Sequence, residues 1–220
     1  MTDLKRAPLS GRCVAVLAAD GVERVELTEP VKALRDAGAE VFVVSLQPGS
    51  IQSYDNLDRS EEIPVDRVLG QTSVSDYDAL VLPGGVANPD LLRTEEKAVE
   101  FVRSFVEADK PVAAICHAPW LLVEGGLVKG RTLTSWPSLR TDIENAGGEW
   151  VDREVVVDQK LVTSRKPDDL PAFNRKMVEI FFRSSAESRL DAMVEQTFPA
   201  SDPLPPPSTA TGGGSAASAG

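Results

Sequence analysis

One histidine and two cysteines are all this 220-residue chain holds of the two residue types most often used as soft metal ligands and nucleophiles. Cys13 and Cys116 cannot build a disulfide framework or a zinc cluster. No glycine-rich dinucleotide fingerprint occurs either, so neither a metal nor an organic cofactor is expected. Positive charge is also scarce. Lys and Arg number 23 against 34 Asp and Glu, and the resulting net charge of −11 opposes binding to a polyanion, so nucleic acid is not an expected partner. No apolar run is long enough to cross a bilayer, and the opening Met-Thr-Asp-Leu-Lys-Arg-Ala-Pro lacks the apolar core of a secretory signal. A membrane partner is therefore not expected, and the cytoplasm, where both cysteines stay reduced, is the expected compartment.

What is present suits one globular domain: 42% hydrophobic and 26% charged residues, in a length that allows a sizeable core plus a tail. Buried-strand patterns occur at residues 13–18, 41–45, 79–82 and 111–115, with further strand candidates in 127–134 and 155–163. Helical patterns run from residue 23 or 26 to 37, where Gly38 stops them, and then over 95–108, 118–123, 138–146 and 171–182. Pro30 is tolerable in a first turn, which favours the later start at Glu26. The acidic, polar stretch 47–75 reads as a short hairpin or excursion. Strands alternating with helices give an α/β fold class, a three-layer α/β/α sandwich with a mainly parallel, flavodoxin-like sheet. From Ser184 the composition shifts, with one amphipathic piece at 189–198 followed by Pro, Gly, Ser and Ala. The expected division is an N-terminal extension (1–11), one domain (12–183) and a mobile tail (184–220).

In Val112-Ala113-Ala114-Ile115-Cys116-His117-Ala118-Pro119-Trp120, four apolar residues run into a helical pattern, so Cys116 falls at a strand-to-helix turn. Such a turn lifts its central side chain out of the sheet. It has the geometry of a nucleophile elbow, in which N–H groups at the helix start favour a thiolate. The plain alternative is a core cysteine. Ligands of open parallel sheets gather beyond the carboxyl ends of the strands, and three marked places fall there: Glu23 and Glu26, Gly84-Gly85, and Cys116-His117. That convergence favours the nucleophile. Gly84-Gly85 is either a tight turn or, beside a nucleophile, an oxyanion hole. Glu23 and Glu26 are either favourable charges at a helix start or include a proton carrier facing Cys116. His117 is either a partly exposed residue or the group that orients or deprotonates the thiol. Being the only histidine, it excludes a triad with a distant histidine, so glutaminase chemistry is not expected.

Four segments carry a family resemblance: Asp20-Gly21-Val22-Glu23-Arg24-Val25-Glu26-Leu27, Leu82-Pro83-Gly84-Gly85, Ala114-Ile115-Cys116-His117-Ala118-Pro119, and Val162-Thr163-Ser164-Arg165-Lys166-Pro167-Asp168-Asp169-Leu170-Pro171-Ala172-Phe173. Over residues 12–183 the chain resembles the PfpI intracellular protease family, within the superfamily of the parkinsonism-associated protein deglycases and the class I glutamine amidotransferase-like fold. The resemblance implies Cys116 as nucleophile, Glu26 as the acid facing it, His117 as its neighbour, and the Gly84-Gly85 backbone as part of the oxyanion site. It also implies that Asp90 of a neighbouring subunit completes the triad, which makes the active unit a homodimer or higher homo-oligomer. Here the loop before Asp90 is a residue longer than the archetype's, and the acid is Asp in place of Glu. The implied activity is glyoxalase III-like or deglycase-like action on a small carbonyl substrate or a glycated protein. Alternatives are a PfpI-type peptidase and a non-enzymatic redox sensor or chaperone-like stress protein. The motif Phe198-Pro199-Ala200-Ser201-Asp202-Pro203 lies outside the resemblance.

Overall fold

The computed structural model describes residues 7–197, with side chains as far as Ser185. The unbroken apolar run after Arg12 forms β1 (Cys13–Leu17), followed by β2 (Val22–Glu23), α1 (Arg24–Asp36) and β3 (Glu40–Ser45). The polar stretch folds as a hairpin of β4 (Ser50–Asp55) and β5 (Asp58–Pro64), and β6 (Arg67–Val68) and β7 (Ala79–Leu82) come next. Helices α2 (Ala87–Arg93) and α3 (Glu96–Glu107) lead to β8 (Val112–Ile115) and α4 (Pro119–Glu124). The remaining elements are β9 (Thr132–Leu133), α5 (Arg140–Asn145), β10 (Glu149–Trp150), β11 (Val155–Asp158), β12 (Leu161–Ser164) and α6 (Leu170–Thr197).

Seven strands form the central sheet in the order β11-β12-β8-β7-β1-β3-β6. All its pairings are parallel except β11 with β12. Alternation along the strands serves two cores. Val14, Val16, Val81, Ala113, Ile115 and Val162 face Leu27 and Leu34 of α1 and Phe173 and Met177 of α6. Ala15, Leu17, Leu80, Leu82 and Ala114 face Val102 and Phe105 of α3 and Leu121 and Leu122 of α4. Each fully buried Leu or Phe contributes about 1.5–3 kcal/mol, so a one-residue slip, which exchanges the two faces, is strongly opposed. The sandwich is the one expected, and its parallel order brings the loops after β1, β7, β8 and β12 to one end.

Several local expectations are corrected. Helix α1 starts at Arg24 and keeps Pro30 in its interior. The proline removes one helical hydrogen bond, and the buried face of Leu27, Val31 and Leu34 holds the helix through that loss. A separate short helix, α2, precedes the expected helix at 95–108. The strand candidate at 127–134 shrinks to β9, which pairs with β10 outside the main sheet, and 155–163 divides into the β11–β12 hairpin. The last helix does not end near residue 182. Between Ala172 and Phe198 the sequence has neither Gly nor Pro, and α6 runs unbroken past Ser184, which is buried, while the Ser185 carbonyl accepts a hydrogen bond from Arg12 at 3.1 Å. At the other end Leu9 is buried and its N–H donates to Ala37 O, so this part of the expected extension packs on the domain. The expected tail beyond Thr197, with its Phe198-Pro199 motif, lies outside the described residues.

Candidate active site

Cys116 follows β8 directly and has φ +63°, a left-handed backbone that costs a non-glycine residue about 1–2 kcal/mol. Hydrogen bonds hold it there. Its N–H donates to Ser164 O at 3.1 Å, and its carbonyl accepts from Trp136 N–H at 2.8 Å. The elbow turns the thiol toward the loops from β1 and β7 while leaving the residue 6% exposed.

Glu26 lies in the first turn of α1 and is fully buried. Its Oε2 accepts the Gly84 N–H at 3.0 Å. Its Oε1 has no hydrogen-bond partner of good geometry, and the carboxyl as a whole faces the Cys116 thiol and the Gly85 N–H. Burial pushes the Glu26 carboxyl up to about 8, so near neutrality it is largely protonated. Burial and the nearby Glu26 carboxyl also push the Cys116 thiol up, while the Gly85 and His117 backbone N–H groups facing the sulfur act in the opposite sense. The two groups share one desolvated space and cannot both carry negative charge. Once Glu26 is neutral its repulsion is gone, and its O–H can donate toward sulfur. Glu23 points elsewhere, accepting the Asn56 N–H at 3.0 Å.

The double glycine is required by space. A Cβ on Gly84 would overlap Glu26 Oε2 and come within 2.6 Å of Cys116 Cβ. Gly85 has φ +82°, and a Cβ there would overlap Gly21 O and lie 2.7 Å from Glu23 N. Both glycines let two loops approach, but they differ as donors: the Gly84 N–H is bonded to Glu26, whereas the Gly85 N–H faces both the Glu26 carboxyl and the Cys116 sulfur, which the His117 N–H also faces.

His117 Nδ1 lies 3.2 Å from Cys116 Sγ, and Nε2 is 3.5 Å from Ser138 Oγ. Its ring stacks on Trp136, with centroids 5.6 Å apart and planes at 24°, and meets Trp120 at 5.3 Å. Burial lowers its pKa to about 4, so the imidazole is neutral near pH 7. Asp90 does not join it within the chain. It stands exposed in the first turn of α2, with no side-chain partner among the described residues.

Sequence reasoning missed four contributors. Asn88 is fully buried: its Oδ1 accepts Ala19 N–H at 2.7 Å, and its Nδ2 donates to Pro83 O and Gly84 O at 2.8 and 3.0 Å. Trp120, Trp136 and Ser138 surround the imidazole. The available signal was the aromatic-rich punctuation of Ser135-Trp136-Pro137-Ser138 in a chain with only three tryptophans. Among the described residues no three His, Cys, Asp or Glu side chains gather in a way that could hold a metal ion, and no helix is long and apolar enough to cross a membrane.

A parallel three-layer sandwich with a strained cysteine elbow facing a buried glutamate places the molecule among cysteine-elbow proteins of the class I glutamine amidotransferase-like fold. The chain belongs to the DJ-1/PfpI family, which matches residues 12–180. It is 43% identical over 168 residues to Escherichia coli "Protein/nucleic acid deglycase 2", covering 76% of this chain and 96% of that protein. It is also 43% identical over 171 residues to "General stress protein 18" of Bacillus subtilis, covering 77% and 98%. The crystal structure of Drosophila melanogaster DJ-1beta superposes with a TM-score of 0.71 at 29% identity, covering 81% of this chain and 97% of that one.

Proposed function

We propose that this protein is a cysteine-dependent stress enzyme acting on small reactive carbonyls, glyoxalase III-like or deglycase-like. The carrying observation is the buried Cys116–Glu26 pair: a thiol 6% exposed, set opposite a carboxyl that is largely protonated near neutrality. A narrow approach suits an aldehyde better than a peptide bond, and the deglycase relative points the same way. Cys116 Sγ gives its proton to His117 Nδ1 and adds to the aldehyde carbon, and the C=O electrons move onto oxygen, facing the N–H groups of Gly85 and His117. Glu26 first gives its proton to that oxygen; as a carboxylate it then takes the proton from the former aldehyde carbon and delivers it to the neighbouring carbon, and water releases a hydroxy acid while the proton on His117 returns to sulfur and Glu26 is reprotonated. Methylglyoxal plus water thus gives lactate without net oxidation. Lactate production from methylglyoxal by wild type and not by Cys116→Ala, beside a fluorogenic-peptide assay, tests this. Peptide cleavage without lactate would refute it in favour of the peptidase.

We also propose a homodimer or higher homo-oligomer in which Asp90 approaches His117 of a second copy. Support comes from the unpartnered Asp90 carboxylate and the exposed apolar residues beside it, Val86 (59% exposed) and Leu91 (46% exposed). Mixing inactive Cys116→Ala with inactive Asp90→Asn subunits should restore part of the activity. Verified subunit exchange without recovery, or an active monomer, removes the shared site.

A further inference from the structure

The imidazole of His117 has two aromatic neighbours and, among the described residues, no carboxylate hydrogen-bonded or ion-paired to it. The groups around it are Cys116 at Nδ1, Ser138 at Nε2, and the indoles of Trp120 and Trp136. Glu26 lies beyond the sulfur. Arg93 sits over Trp120, 5.5 Å from its ring centre, and Asp142 accepts the Trp120 indole N–H at 2.8 Å. When Nδ1 accepts the thiol proton, positive charge appears on a ring that burial otherwise keeps neutral. We propose that Trp120 and Trp136 are positioning residues for the thiol, their indole faces stabilising the imidazolium that forms on His117 as Cys116 ionises.

The geometry supports this in three ways. Both ring-centre distances, 5.3 and 5.6 Å, fall within the roughly 6 Å over which an aromatic face attracts a cation, and Trp136, at 24° to the imidazole, is stacked on it while Trp120 is tilted at 56°. The main chains of both tryptophans are also tied to the elbow, the Trp120 backbone N–H donating to His117 O at 3.1 Å and the Trp136 backbone N–H to Cys116 O at 2.8 Å. The elbow's own backbone thus locates the main chain from which each indole extends. Finally, no other cation lies over Trp136 among the described residues, whereas Arg93 already occupies Trp120, so Trp136 carries the larger share. The step balances: the S–H bond breaks, an N–H bond forms at Nδ1, and sulfur keeps the electron pair. Nε2 retains its hydrogen, directed at Ser138 Oγ.

The inference rests on Cys116 as the nucleophile, and the test separates the two. Tryptophan is replaced throughout by fluorinated analogues of increasing fluorine content, which drain the π face while keeping shape and burial. The second-order rate of Cys116 alkylation by iodoacetamide is then read at pH 7 by mass spectrometry, and the single histidine is followed by NMR. The rate should fall stepwise, by about tenfold at the most fluorinated end, and the His117 pKa should fall with it, on the scale of a desolvated cation–π contact. Trp136→Phe should retain more of the rate than Trp136→Leu. A merely packing role gives a flat fluorination series, and this outcome overturns the inference while leaving the nucleophile in place. Alkylation of Cys13 ahead of Cys116 in the unsubstituted protein overturns both.

Discussion

The paired charges at the amino end of the central sheet and the lone Glu26 at its carboxyl end solve the same electrostatic problem in opposite ways. At the amino end, charged residues are paired: Arg12 with Asp78 at 2.8 Å, Lys160 with Asp109, and Arg131 with Asp158, the last residue of antiparallel β11, at 3.5 Å. Asp78 also accepts the Cys13 N–H at 2.8 Å, and Lys110 donates to the Val74 and Tyr77 carbonyls. At the carboxyl end Glu26 is more deeply buried than any of these, yet it has no cation and an unpartnered oxygen. Pairing serves the fold. The unpaired carboxyl, kept protonated by burial, is a cost borne where the proposed reaction moves a proton.

Breaking the carboxyl end should therefore affect turnover first. Glu26→Gln keeps the shape but cannot transfer a proton, and carbonyl turnover should fall about 10²–10⁴-fold. It should also change the pH dependence of stability. Glu26 has a folded pKa of about 8 against an ordinary 4.5, so the folded state binds the proton more tightly. The stability this provides is complete below pH 4.5 and is lost as pH rises through 8. Denaturant unfolding at intervals over that window should show the wild type declining relative to Glu26→Gln. Equal slopes would mean that the carboxyl is not protonated in the fold.

Gly85→Ala should combine loss of activity with a destabilisation of about 1–3 kcal/mol, since a side chain at φ +82° meets the Gly21 and Glu23 backbones. Urea titration paired with the alkylation rate of Cys116 measures both. At the amino end Asp78→Asn should cost about 1–2 kcal/mol through the weakened Arg12 pair, with turnover per folded molecule unchanged. A drop in turnover with the melting temperature held would erase the contrast between the ends. The smallest effect is expected from deleting residues 198–220, which follow every proposed site residue and the family match. Activity should stay within about twofold of the full chain, a change of under 0.5 kcal/mol in barrier.

Legibility in the sequence followed how local each cause is. The third strand matched at both ends, 79–82, because four apolar residues bounded by Asp78 and Pro83 need no tertiary information. The elbow and the pair Glu23 and Glu26 could be located because strand ends in a parallel sheet converge by topology, and only the family resemblance chose Glu26 of the two. Pro30 misled because a buried helix face outweighs one missing hydrogen bond, and Ser184 misled because a change of composition is not a helix stop. Asn88, Ser138 and Trp136 could not be assigned, since their roles arise only from the folding of separate loops against Ala19, His117 and Cys116. The unequal roles of Gly84 and Gly85 depend in the same way on where the Glu26 carboxylate points.

Asn88 gives these loops a common clock. One buried side chain bonds the Ala19 amide after β1 and the Pro83 and Gly84 carbonyls after β7, while the Gly84 amide is held by Glu26, so the two loops are tied through one side chain. In hydrogen exchange the protons of Ala19 and Gly84 should thus leave with a single protection factor, as members of one cooperative opening unit. Every excursion that admits water to Glu26 would then also expose the nucleophile's glycine cradle. The lifetime of a solvent-free proton and the lifetime of the site would be the same quantity.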